Sequence, residues 1–505
     1  MYYFLNINIG KSLTGIEHSA LARLRLFKEI DLNPIIITTA YNPQLSLNIS
    51  NLEENHKNFL NLYDYFQEID IFNKPYKLED FKKTNPEYIL KKTANPYDFK
   101  VFYKGEYILY LHCFENEEYN ISYINYFDLN RKKIKRDIFD IRGFKSSEII
   151  LDKKQNKICE KFFNTNHEVC IEKYYDKVDN GKNVCTSIVL YRQNSLYASF
   201  SNEENFIAYW LDLLYEKNQE CYFFIDKNKF FSPILLKMKN KPVLISIFHS
   251  VHTRNPQDIL GGDFNSNYRN ILNNPSVFKN IIVSTQQQKN DLVLRFGDIF
   301  SINVIPPSYA KKRKRISIID RNKNRIISVG RYYVEKRLDH MIKAISIVKN
   351  NIPNVQLDLY GFGDARDNYK TEKELRNLIQ ELKLEDNVFL RGYSTDILRE
   401  IETSTISLIT SSIEGFCIAI LDSLSCGTPV ISYDIKYGPS DLIKNDINGY
   451  LIKDSDINSL AQKIESLLTD PDQYQYLSHE AYNSANYYSD FEVKNLWKNF
   501  IWSFK

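Results

Sequence analysis

From Arg325 to Ser432 the sequence alternates short apolar runs with stretches of helical period, and this alternation limits the fold more than any other feature of the chain. Apolar runs at residues 355–360, 388–390, 406–409 and 430–432 are each short enough to be a buried strand. Between them, Leu338, Met341, Ile342, Ile345 and Val348 recur at helical spacing, as do Leu375, Leu378, Ile379 and Leu382. Strand and helix in turn predict a doubly wound parallel sheet with helices on both faces. Open sheets of this kind bind ligands beyond the carboxyl ends of their strands, so the chemistry is expected in strand-following loops.

At 505 residues the chain exceeds what one hydrophobic core organises, so at least two domains are expected. Residues 2–7 read as a buried strand, followed by a helix from near Gly15 that carries Leu21, Leu24 and Phe27. The α/β rhythm is interrupted over residues 71–201, where short alternating runs such as 99–103 and 105–111 predict an antiparallel meander. It returns after Phe206, with strands expected at 243–248 and 281–283. The expected organisation is a discontinuous first α/β domain (1–70 and 202–310), an inserted β-rich domain (71–201) and a second α/β domain (311–485). A final helix (486–505) is expected to cross back to the first domain. Pro306-Pro307 and the basic run 311–315 suit an exposed linker.

Several classes of function fit poorly. A net charge of +3, from 66 basic and 63 acidic residues, lacks the basic excess of proteins that track nucleic-acid phosphates. The seven cysteines form no CxxC pair and read as reduced thiols of a cytoplasmic protein. No segment approaches the ~20 apolar residues of a membrane span, and the first residues lack the basic start of a secretion signal, so membrane association is expected to be peripheral at most. With no Asp-x-Asp triplet between apolar flanks and no histidine cluster, no metal is expected. A Gly-x-Ser-x-Gly elbow is also missing, which disfavours a hydrolase.

Two loops of the second domain carry the most chemistry. Gly330-Arg331 follows a predicted strand and Lys336-Arg337 opens the next helix, so cations meet unpaired N–H groups where a diphosphate would be stabilised. Standing alone, a solvated basic turn would explain this equally well. The segment Ser412-Ile413-Glu414-Gly415-Phe416 also follows a buried strand, and Asp422 lies eight positions beyond Glu414 on the ensuing short helix. A loop carboxylate can accept hydrogen bonds from sugar hydroxyls, and one two turns along can reach a ribose diol. A helix-dipole role would explain Glu414 but not Asp422. In the first domain, His249 and His252 end a strongly apolar strand.

Gly330-Arg331-x4-Lys336, Glu414-x7-Asp422 and the segment from Tyr433 to Asp441 together resemble the retaining GT-B enzymes of glycosyltransferase family 4. Two Gram-positive groups are most similar: one adds α-linked N-acetylglucosamine or glucose to wall teichoic acid, the other adds N-acetylglucosamine to serine-rich or serine-aspartate repeat adhesins. Gly15-Ile16-Glu17-His18, the meander, His249-Ser-Val-His252 and Asn387 to Tyr393 extend the likeness over nearly the whole chain.

The resemblance implies a GT-B fold, two Rossmann-like domains facing a cleft, with a UDP-sugar as donor, UDP-N-acetylglucosamine ahead of UDP-glucose. It implies retention of configuration without an enzyme nucleophile and without a required metal. Gly330, Arg331 and Lys336 would hold the diphosphate, Glu414 with Gly415, Phe416 and Cys417 the transferred sugar, and Gly392 and Tyr393 the uracil. Asp422 replaces the glutamate usual at the ribose position, and Cys417 replaces a usual glycine. Gly15 and Ile16 would face the diphosphate or the acceptor, and His252, with His249 close behind, would be the functional histidine. The expected acceptor is a hydroxyl of a Ser-rich repeat protein, with wall teichoic acid the alternative and a non-catalytic chaperone partner the third reading. The inserted domain, with its basic stretch 131–136, would build homo-oligomer or hetero-complex contacts or lengthen the acceptor groove.

Overall fold

The computed structural model describes residues 1–69, 74–116, 118–177, 181–363, 365 and 368–504, and their strands form three sheets. β1 (Tyr2–Asn6), β2 (Pro34–Thr38) and β3 (Phe59–Asn61) run parallel. Every residue of β1 is buried, as a strand covered on both faces requires. Ten successive strands, β4 (Ile89–Lys92) to β13 (Ser195–Phe200), then pair each with the next as an antiparallel meander. Alternation sends Phe99, Val101, Leu109, Leu111 and Ile124 to one face, where they pack with Leu78 and Phe81 of the Leu78–Thr84 helix. After the meander come β14 (Tyr222–Ile225), β15 (Val243–Ile247), β16 (Asn280–Val283) and β17 (Ser301–Val304), and the seven-stranded sheet runs β17-β16-β15-β14-β1-β2-β3.

The third sheet uses β18 (Asn322–Val329), β19 (Gln356–Tyr360), β20 (Val388–Gly392), β21 (Ser404–Ile409), β22 (Val430–Tyr433) and β23 (Gly449–Ile452). All are parallel, in the order β20-β19-β18-β21-β22-β23. This is the doubly wound order, with the reversal of direction beside β18 and β21. Leu338, Met341, Ile342, Ile345 and Val348 are all buried on the sheet, so the helical period seen in the sequence is the packed face of the Leu338–Val348 helix. Sequence reasoning did not single out β23 or the Ile457–Thr469 and Pro471–Ala485 helices that follow it.

The chain divides into two compact units: residues 1–11, 33–223 and 230–243, and residues 12–32, 224–229 and 244–505. In the first, Lys173 is buried with its ammonium 2.6 Å from the Tyr63 hydroxyl and 2.7 Å from Glu203. Two of the five cations of the basic stretch 131–136 are engaged there: Lys135 pairs with Asp137 and Glu148, and Arg136 donates to Asn125 at 2.7 Å while lying over the Tyr123 ring. In the second unit the Gly15–Glu29 helix packs through Phe27 on Trp497 of the Asp490–Trp502 helix, with rings 5.4 Å apart, and Glu29 pairs with Lys494 at 2.8 Å. The run 311–315 has no regular structure, yet Arg313 pairs with Glu402 and Arg315 donates to Asn483. All seven cysteines are free, and among the described residues no helix is long and apolar enough to cross a membrane.

Candidate functional site

The site grows from the carboxyl ends of β18, β20 and β21. Gly330 follows β18, and its carbonyl oxygen lies where a Cβ on Gly361 would come within 1.8 Å, so only glycine permits that crossing. Tyr332, 2% exposed, donates to the Leu359 carbonyl at 2.8 Å and accepts the Gly392 N–H at 3.2 Å. That hydroxyl ties the Gly330 loop to the Gly392 loop, where Gly392 takes φ +77° and Tyr393 stands 46% exposed. Arg331 lays its guanidinium 4.1 Å from the Tyr333 ring centroid.

The loop after β21 grips the loop that carries Lys336. Thr410 donates to the Lys336 and Arg337 carbonyls, both at 2.9 Å, and Ser412 N–H donates to the Glu335 carbonyl at 2.8 Å. Lys336 Nζ then meets Glu414 Oε1 at 2.6 Å, and the Ser411 hydroxyl donates to the same oxygen at 2.6 Å. The pair borders a small cavity between Gly330, Met341 and Ser411. Burial pulls the Lys336 pKa down, but the adjoining Glu414 carboxylate outweighs it and leaves the ammonium above the ordinary lysine value. The lysine is therefore a fixed cation.

Gly415 is the point of closest approach to the strand-following loop of β15: a Cβ there would fall 2.2 Å from the His249 carbonyl oxygen. Phe416 and Cys417 are buried, and Cys417 adopts φ 68° immediately before the Ile418–Ser425 helix, a conformation that glycine would hold without strain. Burial and the Glu414 charge hold the Cys417 thiol far above its ordinary pKa. Asp422, on that helix, has no side-chain hydrogen bond among the described residues, and desolvation pushes its pKa up to about 6 against the opposing pull of Lys311. Gly15, exposed at the start of its helix, is so placed that a Cβ would lie 4.0 Å from Ile418; half-buried Ile16 follows it.

The two histidines occupy different environments. His252 has no exposed surface; its Nε2 is 3.2 Å from the Ile259 carbonyl, its ring stacks on Tyr437, and desolvation lowers its pKa to about 4. It is a buried neutral imidazole with no surface for a substrate. His249 keeps a side chain 12% exposed, its N–H donates to the Tyr268 hydroxyl at 2.8 Å, and its Nε2 is 2.9 Å from Asp226 Oδ1. Sequence reasoning missed Asp226, which lies 23 positions upstream and has no motif around it. It also missed Asp291, which accepts from Lys436 and the Tyr437 hydroxyl, both at 2.8 Å, beside the loop of Glu414. Among the described residues no group of three or more His, Cys, Asp or Glu side chains is arranged to hold a metal ion.

The family model "Glycosyl transferases group 1" matches residues 310–484, the stretch that carries Lys336, Glu414 and Asp422. The chain is a glycosyltransferase of the GT-B fold. Among proteins similar to this glycosyltransferase is a poly(glycerol-phosphate) alpha-glucosyltransferase of Bacillus subtilis (strain 168), 26% identical over 97% of this chain and 73% of its own. A poly(ribitol-phosphate) alpha-N-acetylglucosaminyltransferase of Staphylococcus aureus (strain COL) is 25% identical over 99% of this chain and 98% of its own. The GtfA subunit of a UDP-N-acetylglucosamine–peptide N-acetylglucosaminyltransferase of Streptococcus agalactiae is 23% identical over 89% and 87%. Two solved structures share the glycosyltransferase's fold over 99% of the chain. A mutant of S. aureus TarM in complex with Fondaparinux, alpha-GlcNAc-glycerol and UDP has a TM-score of 0.82, 22% identity and 99% of its own chain covered. The pneumococcal O-GlcNAc transferase GtfA in complex with UDP and GlcNAc has a TM-score of 0.80, 19% identity and 98% covered.

Proposed function

We propose that this glycosyltransferase moves a hexose from a UDP-sugar onto a hydroxyl of a polymeric acceptor, with retention of anomeric configuration. The observation that carries the reading is the Lys336–Glu414 pair at 2.6 Å, a fixed cation and a carboxylate on two strand-following loops of one sheet. Lys336 offsets the charge that develops on the departing UDP, and Arg331 supplies a second cation once it leaves Tyr333. Glu414 accepts hydrogen bonds from the transferred sugar, beside Gly415, Phe416 and Cys417. Asp422, whose carboxylate is unengaged by other side chains, takes the ribose diol, and Gly392 and Tyr393 receive the uracil. Gly330 lies against the diphosphate, and Gly15 and Ile16 face it from the opposite side. His249 is the histidine beside the sugar. The acceptor hydroxyl attacks on the face from which UDP leaves, a phosphate oxygen of the donor takes its proton, and the two basic side chains supply positive charge without a metal.

Two acceptor classes remain in play, each with an observation in its favour. A serine or threonine hydroxyl of a repeat protein accords with the GtfA relative, and N-acetylglucosamine is then the sugar moved. A poly(alditol phosphate) accords with the two relatives of higher identity, at 25% and 26%. We place the enzyme in the cytoplasm, where UDP-sugars are made, and assign the ten-stranded meander to contacts with the acceptor, a second copy or a partner chain. The test crosses UDP-N-acetylglucosamine and UDP-glucose with a serine-rich repeat peptide and a purified teichoic acid, and reads the mass of the product. Added hexose on one polymer supports the proposal and names the acceptor; no transfer with any pair refutes it.

A further inference from the structure

His249 is held by more than its own strand. Asp226, at 0% side-chain exposure, directs Oδ1 to His249 Nε2 at 2.9 Å and Oδ2 to the guanidinium of Arg23, which is 2% exposed on the Gly15–Glu29 helix. The next residue, Lys227, pairs with Glu17 of the same helix at 2.6 Å, and Glu17 also accepts the Thr14 N–H at 2.9 Å. Two ion pairs six residues apart on one helix thus clamp the Asp226-Lys227 segment. The His249 backbone is fixed independently, by the Tyr268 hydroxyl on its N–H and by the close approach of Gly415 to its carbonyl. Among the described residues its Nδ1 has no hydrogen-bond partner, and the side chain is not wholly buried.

Charge fixes which way the imidazole is protonated. A carboxylate shut away from water accepts hydrogen bonds and cannot donate, so Asp226 requires a proton on His249 Nε2. Arg23 occupies Oδ2 and leaves Oδ1 to the ring, so the tautomer with its proton on Nε2 presents the Nδ1 lone pair away from Asp226. We propose that Asp226, locked by Arg23, is a positioning residue that holds His249 as its Nε2–H tautomer, so that Nδ1 accepts a hydrogen bond from a sugar hydroxyl in the site. The hydroxyl it accepts from rests on the function proposed above; the tautomer does not.

The test separates the two. In Asp226→Asn the side-chain oxygen is drawn to Arg23 and the amide NH2 turns to His249, which forces the ring proton onto Nδ1. In Arg23→Met/Asp226→Asn nothing holds the oxygen away, so it turns back to Nε2 and the wild-type tautomer returns. Imidazole nitrogen shifts of 15N-histidine-labelled full-length protein should read Nε2–H in the wild type and the double variant and Nδ1–H in the single one. Turnover should fall about 100-fold in Asp226→Asn, as for loss of one preorganised polar contact, and recover at least about tenfold in the double variant, with UDP affinity unchanged throughout. A wild-type Nδ1–H tautomer overturns the proposal even if no variant folds. So does a double variant no better than the single one, the result expected of a purely structural pair. A switching tautomer with no turnover of any donor by the wild type would sustain the positioning role and refute the transferase reading.

Discussion

Lys336→Ala removes the cation on which the donor site is built, and both its effects can be worked from the geometry. At 2.6 Å and an effective dielectric of about 20 the attraction to Glu414 is roughly 6 kcal/mol before desolvation. With the two side chains only 24% and 12% exposed, the lost hydration takes back most of that, so the pair stands near break-even. Deleting the lysine strands Glu414 with the Ser411 hydroxyl as its remaining side-chain partner, at a cost of about 1–3 kcal/mol, which a folded domain survives. The catalytic loss is larger: removing one preorganised charge from the departing group costs about 3–4 kcal/mol, or roughly 100- to 1,000-fold in kcat. A UDP-release assay beside a thermal melt reads both. A folded Lys336→Ala variant within about threefold of wild-type turnover would refute the role. Because each single substitution strands a charge, Lys336→Ala/Glu414→Ala should be no less stable than the worse single variant.

Asp422→Ala should raise the donor KM more than it lowers kcat; an unchanged KM would reject the ribose contact. Since a ribose diol donates to the ionised carboxylate, affinity for a UDP-sugar, whose diphosphate has no group titrating near 6, should weaken as pH falls through about 6, and that dependence should vanish in Asp422→Asn; an identical pH profile in the variant would contradict the assignment. His252 is held neutral with its pKa near 4, so the stability it contributes is fully present above the unfolded value of about 6.5 and is lost as pH falls toward 4. Relative to His252→Gln, the wild type should lose about 3 kcal/mol over that window; parallel denaturation curves would show that the ring is not shut away from water. The Cys417 thiol should resist alkylation at neutral pH, and Cys417→Gly should shift stability by no more than about 1 kcal/mol, because relief of the left-handed backbone offsets the lost thiol contacts; a larger change would mean that the packing of Cys417 dominates.

The second doubly wound sheet was legible because its strands are short runs rich in buried apolar residues, such as Leu357 and Leu359, and its helices keep one apolar stripe. The side chains at Leu338, Met341, Ile342, Ile345 and Val348 are all buried. Gly330, Lys336 and Glu414 could be found for a related reason: each directly follows or closely adjoins a strand end, so position and chemistry coincide in the sequence. Partners brought in by tertiary packing could not be found this way. Asp226 directly follows a short strand and reaches His249 and Arg23 only once the chain is folded, and Asp291 sits mid-helix until Lys436 and Tyr437 fold onto it. One signal was available: Arg23 falls at i+3 from Ala20 and i−4 from Phe27 on the buried face of its helix, and a buried arginine requires a buried carboxylate. The choice between the histidines depended on exposure alone, since His249 and His252 end the same apolar run and differ in which neighbour covers them.

The loops of Lys336, Glu414 and Asp422 are proposed to bind the nucleotide of a sugar donor. Titration calorimetry of UDP into the purified full-length protein tests it most directly, because UDP lacks the sugar and the measurement needs no acceptor. One UDP should bind per chain, at least about tenfold more weakly in Lys336→Ala and in Asp422→Ala. No binding heat with the folded wild type, or equal affinity in all three proteins, would contradict it and leave a GT-B-shaped partner protein as the better description.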